Sequence, residues 1–129
     1  SLRMRLGLGL IALEKGDVGE ARQRWSEALA LSSELRDTWT IGLYLEGFSA
    51  LAAHELQAER AMTLTGAAEM VRSRYAVACP PPLKAKIEQW VAPVRDELGA
   101  RSEGALARGR SMSLDAAIAF ALEERSPNA

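Results

Sequence analysis

The stretch LGLIALEKGDVGEARQRWSEA, residues 8–28, decides the fold, because it holds two amphipathic helical segments separated by a turn signal. Small and apolar residues recur at helical spacing on both sides of Lys15-Gly16-Asp17. A glycine just after one helix and an aspartate able to cap the next mark a tight turn between helices. The stretch therefore predicts a helical hairpin. Together with its copy, it predicts these packing positions: Leu8, Gly9, Ala12, Gly16, Ala21, Trp25, Ala28, Ala61 and Ala68.

A second hairpin is predicted 40 residues further along the chain. At this shift Ala12 falls on Ala52 and Ala28 falls on Ala68, so small residues match at packing positions. The match is imperfect, because Gly16 falls on Leu56. A single hairpin cannot bury its apolar face alone, so stacked copies are the expected arrangement. Chance similarity between two amphipathic hairpins remains the alternative.

The whole chain predicts an all-α fold of stacked antiparallel hairpins, since no segment alternates as a strand does. The expected helices span about 2–15, 18–34, 38–55, 58–75, 83–98, 103–110 and 114–124. Pro93 predicts a kink or a division of the fifth helix after Val91 or Ala92. The expected organisation is two hairpins in 1–75, a proline-rich turn in 76–82, a carboxy-terminal helical cap in 83–125 and a tail or linker in 126–129.

Length and charge limit the possible classes of function. A chain of 129 residues with net charge −1 is one domain or a piece of a larger one, without a global field that attracts nucleic acid or membranes. The start at Ser1, directly in a helical pattern, indicates an internal fragment. No apolar run approaches the roughly 20 residues of a membrane span. The single cysteine, Cys79, cannot form an intramolecular disulfide. These features predict a cytoplasmic protein.

Catalytic chemistry is not predicted. The chain has no phosphate-binding loop, and its one histidine, His54, has no second histidine for a metal site. Cys79 lacks a nucleophile-activating partner in the sequence and is expected to be a small apolar residue at a helix end. Most carboxylates alternate with arginines on outer helix faces, as Glu20 does with Arg24. We therefore expect no catalytic residue, cofactor or metal, and no enzymatic activity.

The first hairpin resembles the tetratricopeptide repeat through Leu8-Gly9, Ala12, Gly16, Trp25 and Ala28. The second copy is degenerate, and its 40-residue spacing exceeds the usual length of about 34. The segment ERAMTLTGAAE (59–69), the proline-rich turn after it, Leu98-Gly99 and GRSMSLDAA (109–117) occur in an order similar to one protein family. That family is the carboxy-terminal helical-repeat region of bacterial STAND-class ATPase regulators, many of them LuxR-type transcriptional regulators.

The resemblance implies a non-enzymatic scaffold that binds a partner protein, other domains of its own chain or a small effector. Direct contact with nucleic acid or a membrane is not expected. In such stacks the first helix of each hairpin lines an inner groove, and the implied groove residues are Arg3, Leu6, Leu10, Leu13, Trp39, Leu43, Glu46 and Ala50. The alternative function is a small-ligand sensor with an apolar pocket between the repeats and the last helices. Coverage of the groove by neighbouring helices also remains possible.

Overall fold

A computed structural model describes residues 2–123, with the backbone alone for Leu2 and Arg3. The helices are α1 (Leu2–Glu14), α2 (Val18–Glu34), α3 (Thr38–His54), α4 (Ala58–Tyr75), α5 (Pro81–Leu98), α6 (Arg101–Arg110) and α7 (Leu114–Leu122). No strand occurs in this described range. The predicted all-α class and the number of helices are confirmed. The predicted tail, 126–129, and the last two residues of the predicted cap lie outside the described residues.

One turn geometry recurs every 20 residues along the first four helices. Gly16, Arg36 and Leu56 each adopt a positive φ, of 82°, 53° and 59°. After each turn an amide donates to the carbonyl five residues earlier: Asp17 to Ala12 (2.8 Å), Asp37 to Ser32 (3.0 Å) and Gln57 to Ala52 (2.9 Å). This hydrogen bond closes a Schellman-type helix end. Leu56 thus has the same backbone conformation as Gly16, although the two residue types differ.

Side-chain caps begin three of the helices. Asp17 accepts a hydrogen bond from the amide of Glu20 at 3.0 Å. The carboxylate of Asp37 does the same for Thr40, and the hydroxyl of Ser113 accepts from Ala116. Each cap satisfies one of the amides that a helix start leaves without an intrahelical partner. The sequence predicted all three caps from residue type and position.

Replacing Leu56 with glycine is expected to stabilise the protein by about 0.5 to 1 kcal/mol. A left-handed conformation costs an L-residue about 1 to 2 kcal/mol, and the flexibility of glycine in the unfolded chain offsets part of this gain. Little burial is lost, because Leu56 is 79 % exposed. Urea unfolding measures the effect, with Gly16→Leu as the reverse substitution that should destabilise. A Leu56→Gly variant no more stable than the parent would contradict the turn geometry.

The helix α5 differs from its prediction at two points. It begins at Pro81 rather than Leu83, because two prolines fit the first helical turn, where no amide is needed for an intrahelical bond. It also continues through Pro93 as one helix, so the predicted division is wrong. Pro93 is exposed. The carbonyl that loses its hydrogen bond there can therefore be hydrated, which makes an interior proline tolerable.

The last three helices pack on the hairpins more than on each other. The helix α5 lies against α3 and α4, α6 lies mainly on α4, and α7 contacts α2, α3 and α4. At the α4–α6 crossing two glycines, Gly66 and Gly109, bring the helix backbones into direct contact. Buried side chains from all seven helices form a single hydrophobic cluster. The carboxy-terminal helices therefore complete the core of the second hairpin.

Candidate functional site

The predicted groove residues do not line one open surface. Leu6, Leu13, Leu43 and Ala50 are buried in the core. Leu10, Trp39 and Glu46 are partly exposed. The side chain of Arg3 lies outside the described residues. Since α5 packs on α3, the apolar face of α3 is occupied by other helices of the same chain.

Tyr44 and Trp39 were the aromatic candidates near the groove. Tyr44 is fully buried, and burial raises the pKa of its hydroxyl to about 12, although the charge of Arg5 and a hydrogen bond to the backbone of Leu6 oppose this shift. Trp39 is half-buried and packs against the core. Tyr44 is therefore a core residue in this structure, while Trp39 keeps part of its ring accessible.

A cavity of about 380 Å³ lies between α3, α4, the segment 76–80 and α5. This volume is at the small end of the range for small-molecule sites, roughly 300 to 1,000 Å³. Glu46 is the predicted groove residue that lines it. Ala68, Ile87 and Val91 form apolar parts of its wall. The cavity thus lies between the second hairpin and the first carboxy-terminal helix.

Glu46 organises the polar side of the cavity. Its Oε1 atom accepts a hydrogen bond from Nε of Arg72, and the two side chains form an ion pair that is largely shielded from solvent. Its Oε2 atom lies 3.0 Å from Sγ of Cys79, which donates to it. The Nη1 atom of Arg72 is buried without a hydrogen-bond partner among the described residues. One carboxylate therefore links α3, α4 and the segment after α4.

Other polar groups around the cavity also have partners within the chain. Glu88 binds Arg95 through both carboxylate oxygens, and this contact raises the pKa of the Arg95 guanidinium. Glu69 accepts from Arg110 at 2.6 Å. The hydroxyls of Ser49 and Thr65 lie 2.7 Å apart, and both can donate to the carbonyl of Ala61. The lining is therefore more strongly charged than the predicted apolar pocket, with most charges in pairs.

The Cys79 thiol is expected to react slowly with alkylating reagents. Burial, then the hydrogen bond to Glu46 and the negative charge of that carboxylate, raise its pKa from 9.0 to about 12. The thiolate is the reactive form, so at pH 8 iodoacetamide should modify Cys79 about a thousandfold more slowly than an ordinary thiol. The rate should keep rising with pH up to about 12.

Mass spectrometry at a series of pH values measures this rate. The urea-unfolded chain is the control, because Cys79 is its single thiol. Equal rates in the folded and unfolded protein would contradict the proposed environment of the thiol.

A second surface feature is an apolar stripe on α1, formed by Met4, Leu8 and Ile11. These residues recur at i, i+4 and i+7, so they share one helix face. They are 67 %, 45 % and 50 % exposed. Leu8 was predicted as a packing position, but in the structure it belongs to this exposed stripe. The neighbouring Gly9 instead faces the core, against the ring of Trp25.

The other predicted packing positions lie inside the hairpins or at their turn. Gly16 forms the first left-handed turn. The remaining positions are buried: Ala12, Ala21, Trp25, Ala28, Ala61 and Ala68. Small side chains at these positions let the helices approach closely, as the sequence pattern indicated.

Catalytic and metal-binding groups do not come together in the part of the chain that the structure describes. Residues 2–123 contain no group of three or more His, Cys, Asp or Glu side chains able to hold a metal ion. His54 packs edge-on against Trp90 with 5.2 Å between ring centroids, and partial burial lowers its pKa. Across the same residues, every helix is too short or too polar to cross a membrane.

Sequence reasoning missed the cavity residues Arg72, Cys79 and Lys84 as a group. They lie on α4, the connecting segment and α5, and tertiary packing alone brings them to one site. The proline-rich turn was the one available signal, because it forces the chain to return across α3 and α4.

Both candidate surfaces rest on geometry alone. No protein-family model, no curated protein and no solved structure matches this chain significantly.

Proposed function

We propose that this chain is a non-enzymatic helical-repeat scaffold within a larger cytoplasmic bacterial transcriptional regulator of the STAND class or LuxR type. In this role it binds a partner protein or another domain of its own chain. The observation that carries the proposal is the left-handed turn that recurs every 20 residues, at Gly16, Arg36 and Leu56. Such regularity is typical of repeat proteins, in which each unit contacts its neighbours and the whole forms a binding surface.

The apolar stripe of α1 supports the same proposal. Met4, Leu8 and Ile11 form an exposed apolar face at the first helix of the array. Exposed apolar patches on folded proteins commonly mark interaction surfaces. The scaffold would bury this stripe against its partner, whereas α5, α6 and α7 already cover much of α3 and α4.

The test uses the intact gene product that contains this chain. A phosphate-binding loop before residue 1 and a helix-turn-helix after residue 129 are expected in its sequence. Leu8→Glu in the intact protein should abolish the transcriptional response of its target promoter without unfolding the chain, since Leu8 is already partly exposed. Lys15→Glu, an exposed substitution at the end of the same helix, is the control and should leave the response intact. A response unaffected by Leu8→Glu would argue against the stripe as the functional surface.

A second candidate function is a small-ligand sensor, which the cavity between α3, α4 and α5 favours. Its position between a hairpin and the carboxy-terminal helices would let an occupant stabilise both. A ligand at 100 times its Kd adds about 2.7 kcal/mol to the free energy of unfolding. A thermal-shift screen with a metabolite panel should then give at least one clear increase in Tm. The absence of any increase, with a partner retained by the α1 stripe, would favour the scaffold alone.

A further inference from the structure

The cavity between α3, α4 and α5 has an apolar wall and one cation without a counter-charge. Ala68, Ile87 and Val91 are almost completely inaccessible from outside the protein. They can contact a hydrocarbon body without losing hydrogen bonds to water. The volume of about 380 Å³ admits a compact ligand rather than a peptide.

Charge pairing around the cavity leaves Lys84 as the exception. Glu46 pairs with Arg72, Glu88 with Arg95 and Glu69 with Arg110. Lys84 lines the same cavity and forms no ion pair with any residue between 4 and 123.

The position of Lys84 on its helix adds to this positive charge. Lys84 lies in the first turn of α5, which begins at Pro81. The aligned peptide dipoles place partial positive charge at that end of a helix. The edge of the cavity near Lys84 is therefore suited to an anion.

We propose that the cavity binds a small organic carboxylate, with its charged group at Lys84 and its apolar body against Ala68, Ile87 and Val91. This inference rests on the sensor function and names the chemical class of its ligand. The paired carboxylates of Glu46 and Glu88 would disfavour a cationic ligand in the same place, because like charges at short range repel. An uncharged ligand of the same shape would gain the apolar contacts without the attraction of Lys84.

Octanoate is the probe, and octan-1-ol and octylammonium are its uncharged and cationic counterparts. Titration of the protein, followed by amide chemical shifts, should show octanoate binding with a Kd below about 1 mM. The shifts should be largest at Ala68, Ile87 and Val91. Octan-1-ol and octylammonium should bind about tenfold more weakly or less. Lys84→Glu should weaken octanoate binding about tenfold, since it replaces attraction by repulsion.

Lys15→Glu is the matched control, because it makes the same charge change at an exposed site away from the cavity. It should leave octanoate binding unchanged, and thermal unfolding should show that both variants remain folded. Equal binding of all three probes, unaffected by Lys84→Glu, would overturn the carboxylate inference and leave the sensor function in place. No binding of any probe at millimolar concentration would overturn both.

Discussion

Replacing Gly109 with alanine is expected to lower the free energy of unfolding by about 3 kcal/mol or more, because the substitution forces two helix backbones apart. A Cβ atom at this position would overlap the carbonyl oxygen of Thr63 and lie 2.6 Å from the amide nitrogen of Ala67. Both neighbours are backbone atoms of α4, so no side chain can rotate away. The effect should exceed the gain in helix propensity, which favours alanine over glycine by about 1 kcal/mol.

The reciprocal glycine on α4 predicts the same outcome. A Cβ at Gly66 would overlap the carbonyl oxygen of Leu106 on α6. The two glycines therefore form one close crossing, seen from each helix. Gly66→Ala should destabilise by a similar amount, and the double variant by less than the sum, because a single separation of the helices relieves both overlaps.

Gly104 on α6 is the matched control. A Cβ there would meet no atom within 4 Å. Gly104→Ala should therefore stabilise the protein by about 0.5 to 1 kcal/mol through helix propensity alone. Urea unfolding followed by circular dichroism gives all of these values. A Gly109→Ala variant as stable as Gly104→Ala would mean that α6 does not cross α4 as described.

Truncating Trp25 to alanine is expected to cost about 3 to 5 kcal/mol, the range for large aromatic residues in protein cores. Trp25 is fully buried, and its Nε1 donates to the carbonyl of Leu6 at 3.3 Å. Its ring lies against Gly9 and Gly47 and meets Phe48 edge-on, with centroids 6.3 Å apart. The indole thus holds α1, α2 and α3 together. Loss of the ring opens a cavity that alanine cannot fill.

A double-mutant cycle with Gly9 tests this packing directly. A Cβ at Gly9 would overlap the indole nitrogen of Trp25. Gly9→Ala should therefore be destabilising in the parent protein and close to neutral when residue 25 is already alanine. Equal costs in both backgrounds would contradict the contact. Trp90→Ala serves as a control for tryptophan loss, because Trp90 is only half-buried, and it should cost less than about 2 kcal/mol.

The sequence by itself determined the helices and their ends in the first four elements. Apolar periodicity and local capping are properties of neighbouring residues, so Asp17, Asp37 and Ser113 could be assigned as caps without tertiary information. The predicted bounds of α2 and α4 agree with the structure. The 40-residue repeat was also visible, because each hairpin uses the same small residues where helices touch.

Some local features nevertheless depended on context beyond the sequence pattern. Leu56 occupies a left-handed conformation that its residue type disfavours, since packing of the flanking helices fixes the turn. Pro93 remains within α5 because its exposed position allows the freed carbonyl to be hydrated. Leu8 faces outward although its spacing fits the packing face, because Gly9 takes the contact with Trp25.

Only the tertiary structure decided how the carboxy-terminal helices meet the repeats. Gly66 and Gly109 are 43 residues apart and carry no sequence signal that they touch. The candidate site has the same origin, because Glu46, Arg72 and Lys84 come from three helices that pack across one another. Local spacing specifies which residues share a helix face. Contacts between distant faces depend on which shapes and charges fit together, and that fit exists only once the chain has folded.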